Sequence, residues 1–117
     1  LYEQALEGSR RTLGSSHPDS LGSMNNLAAL LEAQGKLDEA RPLYEQALEG
    51  RRRTLGSSHP STLTSMWNLA IFLEDVKERA AAAALLRECL EGRQRVLGPN
   101  HPDTIECKEY MDELGIK

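Results

Sequence analysis

Apolar residues recur along the chain at three- and four-residue spacings, the period of helices that bury one face. Leu21, Met24, Leu27, Ala28 and Leu31 form one such stripe, which predicts a helix over residues 18 to about 34. Leu37, Ala40, Tyr44, Ala47, Leu48 and Leu55 predict a second, over 37–55. The pattern then starts again. Leu63, Met66, Leu69, Ala70 and Leu73 predict a helix from 60 to about 76, and Ala82, Leu86, Cys89, Leu90 and Leu97 one from about 78 to 97. A helix over 102–114 keeps Ile105, Met111 and Leu114 inward but gains Lys108, Glu109, Asp112 and Glu113, as a water-facing cap would. A broken stripe of Leu1, Ala5, Leu6 and Leu13 precedes them all, so about six helices are expected.

The stripes repeat because the sequence does. Leu1-Tyr2-Glu3-Gln4-Ala5-Leu6-Glu7-Gly8 returns 42 residues later as Leu43 to Gly50, and more loosely as Leu85 to Gly92. Leu13-Gly14-Ser15-Ser16-His17-Pro18 recurs at the same offset, ending at Pro60 and Pro102. A fixed period of this size marks a stacked array in which each unit buries its apolar face on its neighbours. Each proline suits the first position of a helix, and the histidine before it is expected to be extended. Pro42 falls in the first turn or so of the 37–55 helix, near the end where a missing amide is tolerated. Mid-helix glycine costs about 1 kcal/mol relative to alanine. The return of Gly8, Gly50 and Gly92 therefore predicts a close approach, to the helix that follows each.

Composition narrows the class. Aromatic residues make up 4% of the 117 positions, which favours helix packed on helix over sheet. A net charge of −4 argues against a nucleic-acid partner. No apolar run approaches the roughly 18 residues that a membrane span needs, so no membrane partner is expected. Two cysteines, Cys89 and Cys107, make no disulfide framework, and a reducing, cytoplasmic setting is the simpler inference. The chain begins inside a repeat, at Leu1, and is expected to belong to a longer array.

The run Leu27-Ala28-x-x-Leu31-x-x-x-Gly35-x-Leu37-x-x-Ala40-x-x-x-Tyr44-x-x-Ala47 resembles the tetratricopeptide repeat. The lengthened second helix ending in Leu-Gly-x-x-His-Pro is similar to the repeats of kinesin light chains and nephrocystin-type proteins. The resemblance covers the whole chain. It implies an all-α solenoid, a right-handed superhelix of antiparallel helix pairs, forming one array over 1–117. Residues 1–13 would be an orphan second helix, 18–55 and 60–97 two repeats, and 102–114 a capping helix. Lys77 in place of Gly35, and Arg79 in place of Leu37, predict a less regular second turn.

The same resemblance implies a concave surface that holds an extended peptide or helix of a partner protein. It would present Gly22, Asn25, Asn26, Ala29 and Glu32 from one repeat, Thr64, Trp67, Asn68, Ile71 and Glu74 from the next, and Glu106 and Glu109 from the last helix. Asn26 and Asn68 match the asparagine that related arrays aim at a ligand backbone. An amide side chain both donates and accepts, so it pairs with a peptide unit whatever the side chains. Trp67 stands where Asn25 stood and would be a large apolar platform of the kind that dominates binding energies. Glu32, Glu74, Asp75, Glu106 and Glu109 would make the surface negative, favouring a basic or apolar ligand.

Other candidates carry less. His17, His59 and His101 lie on separate repeats, and helices pack roughly 8–10 Å apart, so one tetrahedral metal site cannot gather them. Arg10-Arg11 and Arg51-Arg52-Arg53 read as helix C-terminal dipole partners and ion-pair donors, with an anionic-ligand patch as the alternative. Cys89 takes the small position of Ala5 and Ala47 and reads as packing. No nucleophile–base pair, phosphate loop or paired carboxylates are visible, so neither enzyme activity nor a cofactor is expected. A competing reading is a spacer or self-assembly element: the helix at 1–13 would leave an apolar face open, through which copies could form homo-oligomers.

Overall fold

The computed structural model describes residues 18–116, which form five α-helices. They are α1 (Pro18–Ala33), α2 (Leu37–Leu55), α3 (Pro60–Asp75), α4 (Arg79–Val96) and α5 (Pro102–Leu114). The helix expected over residues 1–13 lies outside the described residues. The chain divides into two compact units, Leu1–Gly56 and Ser57–Lys117. In the first, α1 packs on α2; in the second, α4 packs on both α3 and α5.

The repeated His-Pro pair starts helices by a single device. His59 (φ −66°, ψ 139°) is extended, and its Nδ1 accepts the backbone N–H of Ser61 at 3.0 Å. His101 (φ −68°, ψ 140°) does the same for the N–H of Asp103 at 3.1 Å. Each imidazole thus satisfies one of the orphan donors of a helix N-terminus, while Pro60 and Pro102 occupy positions that need no donor. The turns between paired helices also share one form. Gly35 N–H donates to Glu32 O at 3.0 Å and Lys36 N–H to Leu31 O at 2.8 Å, the paired bonds of a Schellman motif. Lys77 and Glu78 reproduce both bonds, at 3.0 and 2.8 Å, to Glu74 and Leu73. The second turn is therefore as regular as the first, contrary to expectation. Lys77 adopts the left-handed conformation (φ 68°) that Gly35 (φ 80°) adopts without a Cβ.

Gly50 and Gly92 mark close approaches, as expected, but toward the preceding helix. A Cβ on Gly50 would lie 2.5 Å from Leu21 Cδ2, and one on Gly92 2.5 Å from Leu63 Cδ2. Leu21 and Leu63 are fully buried, so each glycine is the socket for a leucine of its own hairpin.

The core is built from the predicted stripes, with additions and two corrections. Leu21, Met24, Leu27, Ala28, Leu31, Ala40, Tyr44, Ala47 and Leu48 are buried in the first unit. Leu63, Met66, Leu69, Ala70, Leu73, Ala82, Leu86, Cys89 and Met111 are buried in the second, joined by Phe72, Thr62, Ser65, Thr104 and Cys107. Leu37 and Ile105, expected inward, are 39% and 43% exposed. Leu37 is the first residue of α2, at the edge of the turn. Ile105 holds the position of Leu21 and Leu63, but among the described residues no glycine-bearing helix receives it.

Candidate functional site

In the second unit, side chains from all three helices meet around Trp67. The guanidinium of Arg93, on α4, lies over the indole at 5.0 Å from the ring centroid. Tyr110, on α5, meets the same ring edge-on, with centroids 5.3 Å apart and planes at 65°. Both geometries are attractive for a ring with a negative face and positive edge. Trp67 keeps part of its surface open to solvent, as do Asn68, Ile71 and Tyr110. Thr64, Glu106 and Glu109 are exposed, and the Thr64 hydroxyl turns back to donate to Pro60 O at 3.0 Å.

Arg93 is 4% exposed, far from the solvated cation that a helix-end arginine suggests. Its Nη1 donates to the backbone carbonyl of Asp103 at 2.9 Å, which ties α4 to the first turn of α5. Its repeat counterpart, Arg51, is half-withdrawn from water in the first unit, and burial pushes its guanidinium below the ordinary value. Arg51 Nη2 lies 3.8 Å from where a Cβ on Gly22 would sit, so part of this side chain is covered against α1. Arg53 does behave as expected, pairing with Glu49 at 3.1 Å in solvent.

Acidic groups face the aromatic pair. The Tyr110 phenol is pushed above its ordinary value, first by burial and then by the charges of Glu74, Asp75 and Glu113. Glu74 is itself held by Arg79, Nε to Oε2 at 3.4 Å. Arg79 also donates through Nη2 to Leu114 O, so it spans the ends of α3 and α5. On another side of α4, Arg79, Ala83, Arg87, Leu114 and Ile116 line an open hollow of about 470 Å³ that holds none of the expected site residues.

The first unit treats its expected residues differently. Asn25 is buried, at 8% exposure, whereas Asn26 and Ala29 are exposed. Glu32 is partly covered and accepts the Tyr44 hydroxyl at 2.9 Å across the hairpin. Asn25 thus belongs to the interior of its unit, and the surface face there consists of Asn26 and Ala29.

Two members of the Trp67 cluster were not among the expected residues. Adding the 42-residue period to Asn68 arrives at Tyr110, and adding it to Arg51 arrives at Arg93. The repeat therefore held the signal; the polar character of α5 and the surface reading of arginine hid it. Among the described residues no group of three or more metal-ligating side chains occurs, and no helix is long and apolar enough to cross a membrane.

Residues 1–53 and 19–93 match the tetratricopeptide repeat family. A crystal structure of a kinesin light chain-like protein from Podosopora anserina, with nearly identical TPR-like repeats, superposes with a TM-score of 0.87 at 31% identity. That superposition covers 94% of this chain and 52% of the other, and a point variant of the same protein matches equally well. BtubC (BKLC) from P. vanneervenii matches with a TM-score of 0.77 at 26% identity, over 91% of this chain and 42% of that one. This chain thus spans about half the length of the structures it resembles or less. No curated protein matches it.

Proposed function

The chain belongs to the tetratricopeptide repeat family, an α-solenoid fold that serves as a protein-interaction scaffold, and from that premise we propose that it holds a peptide or helix of a partner protein without catalysing a reaction. The observation that carries this reading is Trp67, partly open to solvent yet braced by Arg93 on one side and Tyr110 on another. A large ring whose rotamer is already locked loses little entropy when a ligand covers it. Asn68 and Ile71 flank it on α3, supplying a bidirectional amide and an apolar contact. The negative field of Glu74, Asp75 and Glu113 at Tyr110 favours a ligand with basic residues over an acidic one. Asn26 and Ala29 hold the same repeat positions in the first unit and are exposed there.

Isothermal titration against a peptide library tests the proposal. Basic peptides with an aliphatic or aromatic residue are expected to bind. Trp67→Ala should weaken binding by about 2 kcal/mol, and Asn68→Ala by about 1 kcal/mol. If both variants bind as tightly as the parent, the ligand lies elsewhere and the assignment of this face fails.

A further inference from the structure

Cys89 and Cys107 depart from the repeat together. Their counterparts are Ala47 at the first position and Ser65 at the second. Both cysteines are completely buried free thiols, one on α4 and one on α5. Cys89 Sγ lies 3.4 Å from Leu63 O and Cys107 Sγ 3.7 Å from Leu86 O, which places Cys107 over the turn of α4 that carries Cys89. The two sulfurs are therefore neighbours, and each bears on the other's ionisation. The guanidinium of Arg93, one turn beyond Cys89, acts on both sulfurs. Arg93 is itself buried, and among the described residues no carboxylate pairs with it. A thiolate beside it would serve as its counter-ion, and a thiolate is the form of cysteine that attacks oxidants.

We propose that Cys89 and Cys107 form a reversible redox pair, oxidised by hydrogen peroxide to a disulfide that pins α5 to α4. The inference stands independently of the peptide-binding reading. The Cys107 thiolate attacks the peroxide O–O bond, giving a sulfenic acid and releasing one water once the departing hydroxide is protonated. The Cys89 sulfur then attacks the sulfenic sulfur and expels a second water. Two thiols lose two protons and two electrons, and one peroxide is reduced to two waters. The order follows from the surroundings of the two sulfurs: the neighbouring Cys107, then burial, pushes the Cys89 thiol up, while the neighbouring Cys89 and the Arg93 guanidinium draw Cys107 down against burial. Because α5 also carries Tyr110, oxidation fixes the helix that braces Trp67.

The test treats the folded full chain with hydrogen peroxide, then alkylates under denaturing conditions. A loss of 2 Da with no alkylation at either cysteine is expected, fully reversed by dithiothreitol. The melting midpoint should rise by about 5 °C. Emission from Trp67, the only tryptophan, should change with the same time course. Arg93→Gln should slow oxidation roughly tenfold. Cys89→Ala and Cys107→Ser restore residues that the repeat itself uses, so both should fold. Each should abolish the mass loss, and Cys89→Ala should leave Cys107 trappable as a sulfenic acid by dimedone. Two alkylatable thiols in peroxide-treated folded protein, or a disulfide-linked dimer, would overturn the pair. Sulfenic acid trapped at Cys89 in Cys107→Ser, with none at Cys107 in Cys89→Ala, would overturn the order of attack.

Discussion

Hairpins α1–α2 and α3–α4 carry the same apolar stripe, yet satisfy their polar groups by different routes. In the first, Tyr44 reaches across to hold Glu32 at 2.9 Å. In the second, Leu86 replaces that tyrosine, and the equivalent carboxylate, Glu74, is held instead by Arg79 at 3.4 Å, from the position where the first hairpin has the exposed Leu37. Asn25 is sealed inside its unit, whereas Trp67 at the same repeat position stays partly open, braced by Arg93 and Tyr110. The repeat conserves where apolar volume goes and leaves free the choice of polar partner. Function can therefore enter one copy without disturbing the packing that both share.

The comparison breaks first at the leucine sockets. Leu21→Ala and Leu63→Ala should each cost about 2–5 kcal/mol, read from urea or thermal unfolding. Gly50→Ala and Gly92→Ala should each cost about 1–2 kcal/mol, because displacing a buried leucine outweighs the helix propensity gained. In a Leu63→Ala background the methyl of Gly92→Ala has room, so its effect should reverse to a gain of up to about 1 kcal/mol. Equal penalties in both backgrounds would show that the leucine is not what the glycine accommodates.

Next come the carboxylate partners. Tyr44→Phe should cost about 1–2 kcal/mol, since it takes a hydrogen bond from a partly covered charge. Arg79→Leu should cost only a few tenths of a kcal/mol through its ion pair, as the arginine side chain is 56% exposed. At the turns, Lys77→Gly should stabilise by about 1 kcal/mol and Gly35→Lys destabilise by a similar amount, both measured by chemical denaturation.

The smallest effect is the titration of Tyr110. Its folded-state value is raised, so its neutral form contributes stability that is present below the ordinary tyrosine range and is lost as pH rises through and above it. Absorbance titration should show a late-ionising phenol that Tyr110→Phe removes. An unchanged curve would mean that the acidic groups do not act on that ring.

Much of the fold was legible because a period of 42 residues carries each helix stripe from one copy to the next. One copy's turn, cap or socket therefore predicts the others'. The failures came where a copy departs from its pattern. Leu37 and Ile105 are apolar by type, but among the described residues no helix covers either, and residue type alone does not report what packs against it. The candidate site was legible as far as Trp67. Arg93 was not, because an arginine near a helix end reads as solvated unless an aromatic face and a carbonyl are known to receive it. Tyr110 was hidden because α5 looks polar, and only its place in the register ties it to Asn26 and Asn68.

The histidines that open α3 and α5 have a chemical consequence of their own. An imidazole that caps through Nδ1 has had its tautomer chosen, with the mobile hydrogen on Nε2. Asp103 Oδ2 also lies 4.0 Å from the His101 nitrogen, whereas Ser61 stands at the equivalent position after His59. One recurring dipeptide thus fixes both a helix start and the tautomer of the ring that caps it, leaving Nε2–H as each imidazole's remaining donor.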